Sequence, residues 1–284
     1  MKVSDSQQKV SPPVAGPRRA NVLGVGVHAI KLESAVELME SAILSGRRGY
    51  VCVTNVHAVM EAQKNAGYKR VLNSSFLTLP DGRPTVWVGR SQGLKEMDQV
   101  GGPELMLRFC EISSRKPYTH FFYGGQPGVA EQLKDSLTRQ FPRLRVVGTY
   151  TPPFRALNQE EELEVRDLLA RLKPDVMWIG LGAPKQELFM AQYFGRVDTT
   201  LMVGVGAAFN IHTGRITDAP GWIKRAGFAW LYRLAQEPHR LWKRYLKTNP
   251  RFLYEIALQM LRVKKFDLET GAKEGEVVVK SARA

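Results

Sequence analysis

Short apolar, β-branched runs punctuate the chain, and most of them leave through glycine: "NVLGVGV" (21–27), "YVCVTN" (50–55), "THFFYGG" (119–125), "LRVVGTY" (144–150), "DVMWIGLG" (175–182) and "TTLMVGVG" (199–206). Runs of this length and composition predict strands. Between most of them apolar positions return at helical spacing, in "ESAVELMESAILSG", "PGVAEQLKDSLTRQF", "NQEEELEVRDLLARL" and "PKQELFMAQYFG". Several of these carry acidic residues early and glycine or basic residues late, as helix ends favour. Strand and helix alternate, which predicts an α/β core with a Rossmann-like, mostly parallel sheet flanked by helices. Ligands of such sheets settle outside the carboxyl ends of the strands.

After about residue 217 the pattern becomes helical throughout and dense in Arg, Lys, Trp and Tyr. Pro220, Pro238 and Pro250 each suit the first turn of a new helix, which predicts about three short helices. The expected organisation is a disordered leader (1–20), an α/β core (21–217), a basic amphipathic helical appendage (218–265) and a disordered tail (266–284).

The net charge of +14 calls for a polyanionic partner: nucleic acid, an anionic membrane surface or a phosphate-bearing substrate. The leader lacks the apolar stretch of a secretory signal, and no window approaches the roughly 18 apolar residues of a membrane span, so the expected membrane contact is peripheral. Cys52 and Cys110 have neither metal spacing nor a disulfide framework, and they read as buried thiols of a protein in a reducing compartment.

The exits "FFYGG", "GLGAPKQE" and "GVGAAFN" place glycine where backbone N–H groups can approach an anion at a helix N-terminus. Tight strand-to-helix turns are the structural alternative. Neither a P-loop nor a full dinucleotide fingerprint is present, because "GVGAAF" lacks the third glycine and "GLGAPK" puts proline in the turn. The scattered histidines, His57 and His212 among them, read as structural polar groups, and no carboxylate pair suggests a divalent metal. In "LTLPDGRP", Asp81 follows a strand and is either the N-cap of a helix starting near Arg83 or a catalytic carboxylate.

In order along the chain, "TNVHAVMEAQKN", "RVLNSSFLTLPDGRPTVW", "GGPELM", "FFYGGQPGVAE", "GLGAPKQE" and "GVGAAFNIHTGRITDAPGWIKRAGFAWLYRLAQEPHRLWKRYL" resemble the signature blocks of the WecG/TagA/CpsF glycosyltransferases over roughly residues 21–250. The resemblance implies an inverting, β-forming transfer of a sugar from a UDP-sugar donor to a polyprenyl-diphosphate-linked saccharide in surface polysaccharide assembly. It implies that Asp81 is the general base, taking the acceptor hydroxyl's proton. It also implies that no metal or other cofactor serves the leaving diphosphate, whose cations are Arg233, Arg240 and Lys243, with Arg244 adjacent. Solvated basic helix faces are the alternative for these four. Thr54, Asn55 and Gln186 match pocket positions of the family. Tyr150 and Phe154 offer a stacking face for a nucleobase and Asn210 an amide for its edge, with packing or turn roles as alternatives.

Two departures stand out. Gln99 replaces a common arginine ahead of "VGGPEL", where Glu104 also stands, which leaves the donor sugar open to differ from the N-acetylmannosamine of the teichoic-acid members. Asn210 replaces a common aspartate. In the appendage, aromatic residues from Trp222 to Phe252 are interleaved with basic ones, a pattern suited to an anionic interface. The expected location is therefore cytoplasmic, peripheral on the inner face of the cell membrane, with a homo-oligomer possible through the sheet core. The rival reading is a basic nucleic-acid-binding protein without catalysis; no nucleic-acid-binding signature accompanies it, and no nucleic-acid partner is expected.

Overall fold

Parallel strands covered on both faces have no polar side to show, which is why most of them read as unbroken apolar runs. The computed structural model describes residues 16–268. In chain order the elements are β1 (Arg19–Val22), β2 (Val25–His28), α1 (Leu32–Ser45), β3 (Gly49–Thr54), α2 (Val56–Ala62), α3 (Ala66–Asn73), β4 (Leu77–Pro80), α4 (Arg83–Ser91), α5 (Gly102–Ser113) and β5 (Thr119–Gly124). There follow α6 (Val129–Gln140), β6 (Arg145–Tyr150), α7 (Gln159–Leu172), β7 (Val176–Gly180), α8 (Lys185–Tyr193), β8 (Leu201–Gly204), α9 (Ala208–His212), α10 (Gly221–Arg225), α11 (Ala229–Gln236) and α12 (Pro238–Met260). The central sheet is parallel throughout, in the order β4-β3-β8-β7-β5-β6.

Alternation along each strand divides the core in two. Tyr50, Cys52, Phe121, Tyr123, Met177 and Ile179 face a layer that includes α2, α3 and α8. Val51, Val53, Phe122, Trp178 and Val203 face α1, α5, α6 and α9. The helix after β3 therefore lies on one face and the helix after the neighbouring β8 on the other, which opens a crevice at their carboxyl ends.

Three expectations need correction. "NVLGVGV" is a hairpin outside the main sheet: β1 and β2 pair antiparallel, and the chain reverses at Leu23 (φ 53°) and Gly24 (φ 80°). Positive φ at both central residues is the tight-hairpin solution, and the fully buried Leu23 side chain hides the turn in an apolar run. Pro250 starts no helix; it lies inside α12. Its cost is one missing backbone donor and local crowding, offset by burial of Phe252 and Ile256 just beyond it. The appendage thus has three helices, but Pro220 caps the first of them, α10, and Pro238 opens the last.

The ends of the fold also reach further than expected. Arg19 and Ala20 belong to β1, and the Phe266 carbonyl accepts a hydrogen bond from Asn21 Nδ2 at 2.5 Å. Gln259 of α12 binds the same hairpin, its Oε1 accepting from the Leu23 N–H at 2.9 Å. The remainder of the leader (1–15) and of the tail (269–284) lies outside the described residues.

The appendage meets the core closely at Gly227, between α10 and α11. Its φ is +83°, and a Cβ there would stand 2.7 Å from Trp87 Cη2 of α4. Gly227→Ala is expected to cost about 1–2 kcal/mol from the backbone alone, seen as a lower urea midpoint and faster proteolysis within residues 218–260. An unchanged midpoint and cleavage pattern would show that this contact does not hold the appendage.

Candidate active site

The sheet edge aims Asp81. Thr54 pairs with Pro80 across the β3–β4 ladder, and the Asp81 N–H donates to the Thr54 carbonyl at 3.0 Å, extending the ladder by one residue. Gly82 then turns the chain at φ 94°, ψ 145°, a backbone state closed to residues with a Cβ. Gly82, not Asp81, is the N-cap of α4, and the cap uses no side chain. The cap alternative for Asp81 therefore falls away.

Asp81 lines a cavity of about 720 Å³ between the carboxyl ends of β4, β3, β8 and β7 and the three appendage helices. Asn55, the N-cap of α2, accepts from the Ala58 N–H with Oδ1 and directs Nδ2 to Asp81 Oδ2 at 3.4 Å. Burial and then the neighbouring Glu104 carboxylate raise the Asp81 pKa to about 6, opposed by Asn55, Arg233 and Lys224. Lys224 of α10 is held between Glu104 of α5 and Asp218, 2.5 Å from the latter.

The glycine exits are not open anion cradles. The N–H groups of Gly182 and Gly206 donate to Gln186 Oε1 at 3.1 and 3.0 Å, and Gly125 N–H donates to the Gly180 carbonyl at 3.2 Å. Gln186 lines the cavity but is nearly buried, and its amide joins the loops after β7 and β8. The appendage brings Arg233, Arg240 and Arg244 to the lining of the cavity. Glu237 lies between the first two, 3.2 Å from Arg233 and 2.6 Å from Arg240. The Nε atoms of Arg233, Arg244 and Arg83 are buried without a hydrogen-bond partner among the described residues.

Asn55, Gln99, Gln186, Asn210, Arg233 and Arg240 are brought to the same cavity as Asp81. Thr54 is not: its side chain is buried behind the strand end, with Oγ1 donating to the Cys52 carbonyl at 3.4 Å. Lys243 does not line the cavity; its ammonium lies over the Trp242 ring, 5.5 Å from the centroid. Phe154 is 80% exposed and lies outside the cavity. It follows β6, whereas Asp81 follows β4 at the opposite edge of the sheet, about 24 Å away at the usual strand spacing. Tyr150 stacks on Tyr123 at 5.7 Å and does not line the cavity either.

Residues that sequence reading left aside also line it. Arg83 Nη1 donates to Asp98 Oδ1 at 2.6 Å, and its signal was its place two residues after Asp81. His57, read as a structural polar group, lies on the wall with a pKa lowered to about 4 by burial and then by Arg244. It is neutral at pH 7, and its signal was its place two residues after Asn55. His212 fits the structural reading: its Nε2 lies 3.0 Å from the Pro103 carbonyl. Among the described residues no group of three or more His, Cys, Asp or Glu is clustered to hold a metal ion.

Residues 20–266 match the model of the glycosyl transferase WecG/TagA/CpsF family. The chain is 30% identical over 227 residues to an N-acetylglucosaminyldiphosphoundecaprenol N-acetyl-β-D-mannosaminyltransferase of Bacillus spizizenii, covering 80% of this chain and 86% of that protein. Proteins of the same name from Bacillus subtilis (27% over 236 residues, covering 83% and 90%) and Staphylococcus aureus strain MW2 (26% over 253 residues, covering 87% and 95%) are also similar. With a match across the sheet, the Asp81 loop and all three appendage helices, the chain belongs to the WecG/TagA/CpsF family of glycosyltransferases.

Proposed function

We infer that the protein transfers an N-acetylhexosaminyl group from a UDP-sugar to a polyprenyl-diphosphate-linked saccharide with inversion, Asp81 serving as the base. The observation that carries this reading is one carboxylate at a strand end facing arginines from the appendage across a single cavity. The relatives' names specify a diphosphate-lipid acceptor and a β-linked product. A UDP-sugar carries its sugar α-linked, so direct displacement that yields a β-linkage inverts the anomeric carbon. The acceptor oxygen bonds to that carbon as its proton passes to Asp81, and the bond to the donor's β-phosphate oxygen breaks. The charge left on UDP is met by Arg233, Arg240 and Arg244 in a site partly closed to water, where such contacts are strong.

Gln186 fixes the floor by tying two strand exits together, and Gln99 and Asn210 are the amides placed to meet sugar or base. The acceptor lipid implies work at a membrane surface. No helix among the described residues is long and apolar enough to cross a membrane. Trp222, Trp242 and Leu246 are exposed on the appendage, and Lys243 and Lys247 adjoin the latter two. Such a face enters an anionic interface by apolar burial and charge together.

Asp81→Asn is expected to lower kcat by two orders of magnitude or more, the scale of losing a general base. Because the folded pKa of Asp81 (about 6) exceeds its ordinary 3.8, its favourable contribution to stability is present below pH 3.8 and lost as pH rises through about 6. Folded Asp81→Asn should therefore melt higher than wild type at pH 7.5, and the gain should vanish below about pH 4. In wild type, kcat/KM should fall as pH drops through about 6, and Glu104→Gln should move that limb to lower pH by removing a like charge. A rate near wild type in Asp81→Asn, or a limb moved upward by Glu104→Gln, contradicts the assignment.

Transfer should proceed undiminished in excess EDTA; loss that magnesium or manganese restores would assign the diphosphate to a metal. Trp242→Glu combined with Leu246→Glu should reduce sedimentation with anionic liposomes about fivefold or more, because two apolar side chains no longer enter the interface and two added carboxylates are repelled by it. Retained sedimentation would move the membrane contact elsewhere.

A further inference from the structure

The cavity that holds Asp81 has a second, apolar half. One wall is α12, whose cavity-lining residues change character along the helix: Arg240, Arg244 and Thr248 first, then Phe252, Ile256 and Met260. The apolar part, 252–260, rises about 12 Å along the helix. Helix α4 contributes Trp87, Val88 and Ser91 to the same cavity. Val88, Phe252 and Ile256 are buried at the base of the groove; Trp87, Leu253 and Met260 are more than half exposed at its rim.

The geometry points to this groove as the seat of the first isoprene units of the acceptor's lipid, rather than of a sugar or a nucleobase. This rests on the glycosyltransferase reading above. Three features select the occupant. The groove is continuous with the cavity that contains Asp81 and the arginines, so a chain in it would be attached to a group at the cationic end. The buried Nε atoms of Arg233 and Arg244 lack partners, which suits an anionic head with an apolar tail. The relatives act on a diphosphate joined to undecaprenol, a molecule with that same order of charge and hydrocarbon. An apolar floor has no donor or acceptor with which to orient a sugar, whereas a branched hydrocarbon gains by leaving water there.

The test is detergent-free calorimetry with inorganic diphosphate, isopentenyl diphosphate and farnesyl diphosphate on the full chain, below the lipid's aggregation threshold. Affinity should rise with chain length, farnesyl diphosphate binding at least about tenfold more tightly than isopentenyl diphosphate as apolar surface is buried. Leu253→Glu, at an exposed rim position that tolerates charge, should cut that preference to less than about threefold by removing apolar surface from the groove. Leu246→Glu, exposed two turns earlier on the same helix and outside the cavity, should keep it. Equal affinity for the three ligands, or a preference lost in Leu246→Glu and kept in Leu253→Glu, overturns the assignment. A separate assay of sugar transfer from a UDP-sugar panel to a short-chain acceptor distinguishes the failures: no transfer there sinks the glycosyltransferase reading, while transfer without a chain-length preference sinks only the groove.

Discussion

The site depends on the meeting of an acidic sheet edge with a cationic helical appendage. Lys224, from the first appendage helix, is held by Glu104 of the core and by Asp218 at the junction. Burial and then Glu104 push the Asp81 pKa upward; Asn55 of the core, then Arg233 and Lys224 of the appendage, push the other way. Docking of the appendage therefore does more than close a cavity. It adds positive charge that, with the Asn55 hydrogen bond, opposes the rise in the Asp81 pKa caused by burial and Glu104. A core lacking these helices would retain Asp81 at its strand end but lose the charges that balance it.

The appendage arginines are only partly paired. Glu237 lies between Arg233 and Arg240, and against the desolvation that raises its pKa, those two arginines hold it below the ordinary value. A buried donor without a partner costs about 1–3 kcal/mol, and the Nε atoms of Arg233, Arg244 and Arg83, three residues that line the cavity, are such donors among the described residues. Stability given up in one place is best explained by a ligand that recovers it. The glycine turns contribute shape instead: Gln186 already occupies the N–H groups of Gly182 and Gly206 and ties the loops after β7 and β8 together.

What the sequence made legible follows from the range of each signal. Strand–helix alternation is local, and it predicted the parallel core. Adjacent residues such as Asp81 and Gly82 carry their turn chemistry with them. Misreadings arose where a local pattern has two solutions or where distance across the sheet decides. Leu23 looks like strand because its side chain is buried, yet its backbone makes a turn. Pro250 looks like a helix start, yet packing of Phe252 and Ile256 carries α12 past it. Phe154 lies near a strand exit, but strand order puts that exit at the far edge from Asp81. Arg240, Lys243 and Arg244 share one helix, and only packing decides that the first and third meet the cavity while Lys243 lies on Trp242.

If core and appendage together build one nucleotide-diphosphate site, UDP binding must depend on the appendage arginines. Calorimetry should give a dissociation constant at least tenfold weaker for Arg233→Gln with Arg244→Gln than for wild type, roughly the effect of removing two charged hydrogen-bond donors, with melting behaviour essentially retained. An unchanged dissociation constant in a folded double variant would place the diphosphate on the core alone and contradict the account.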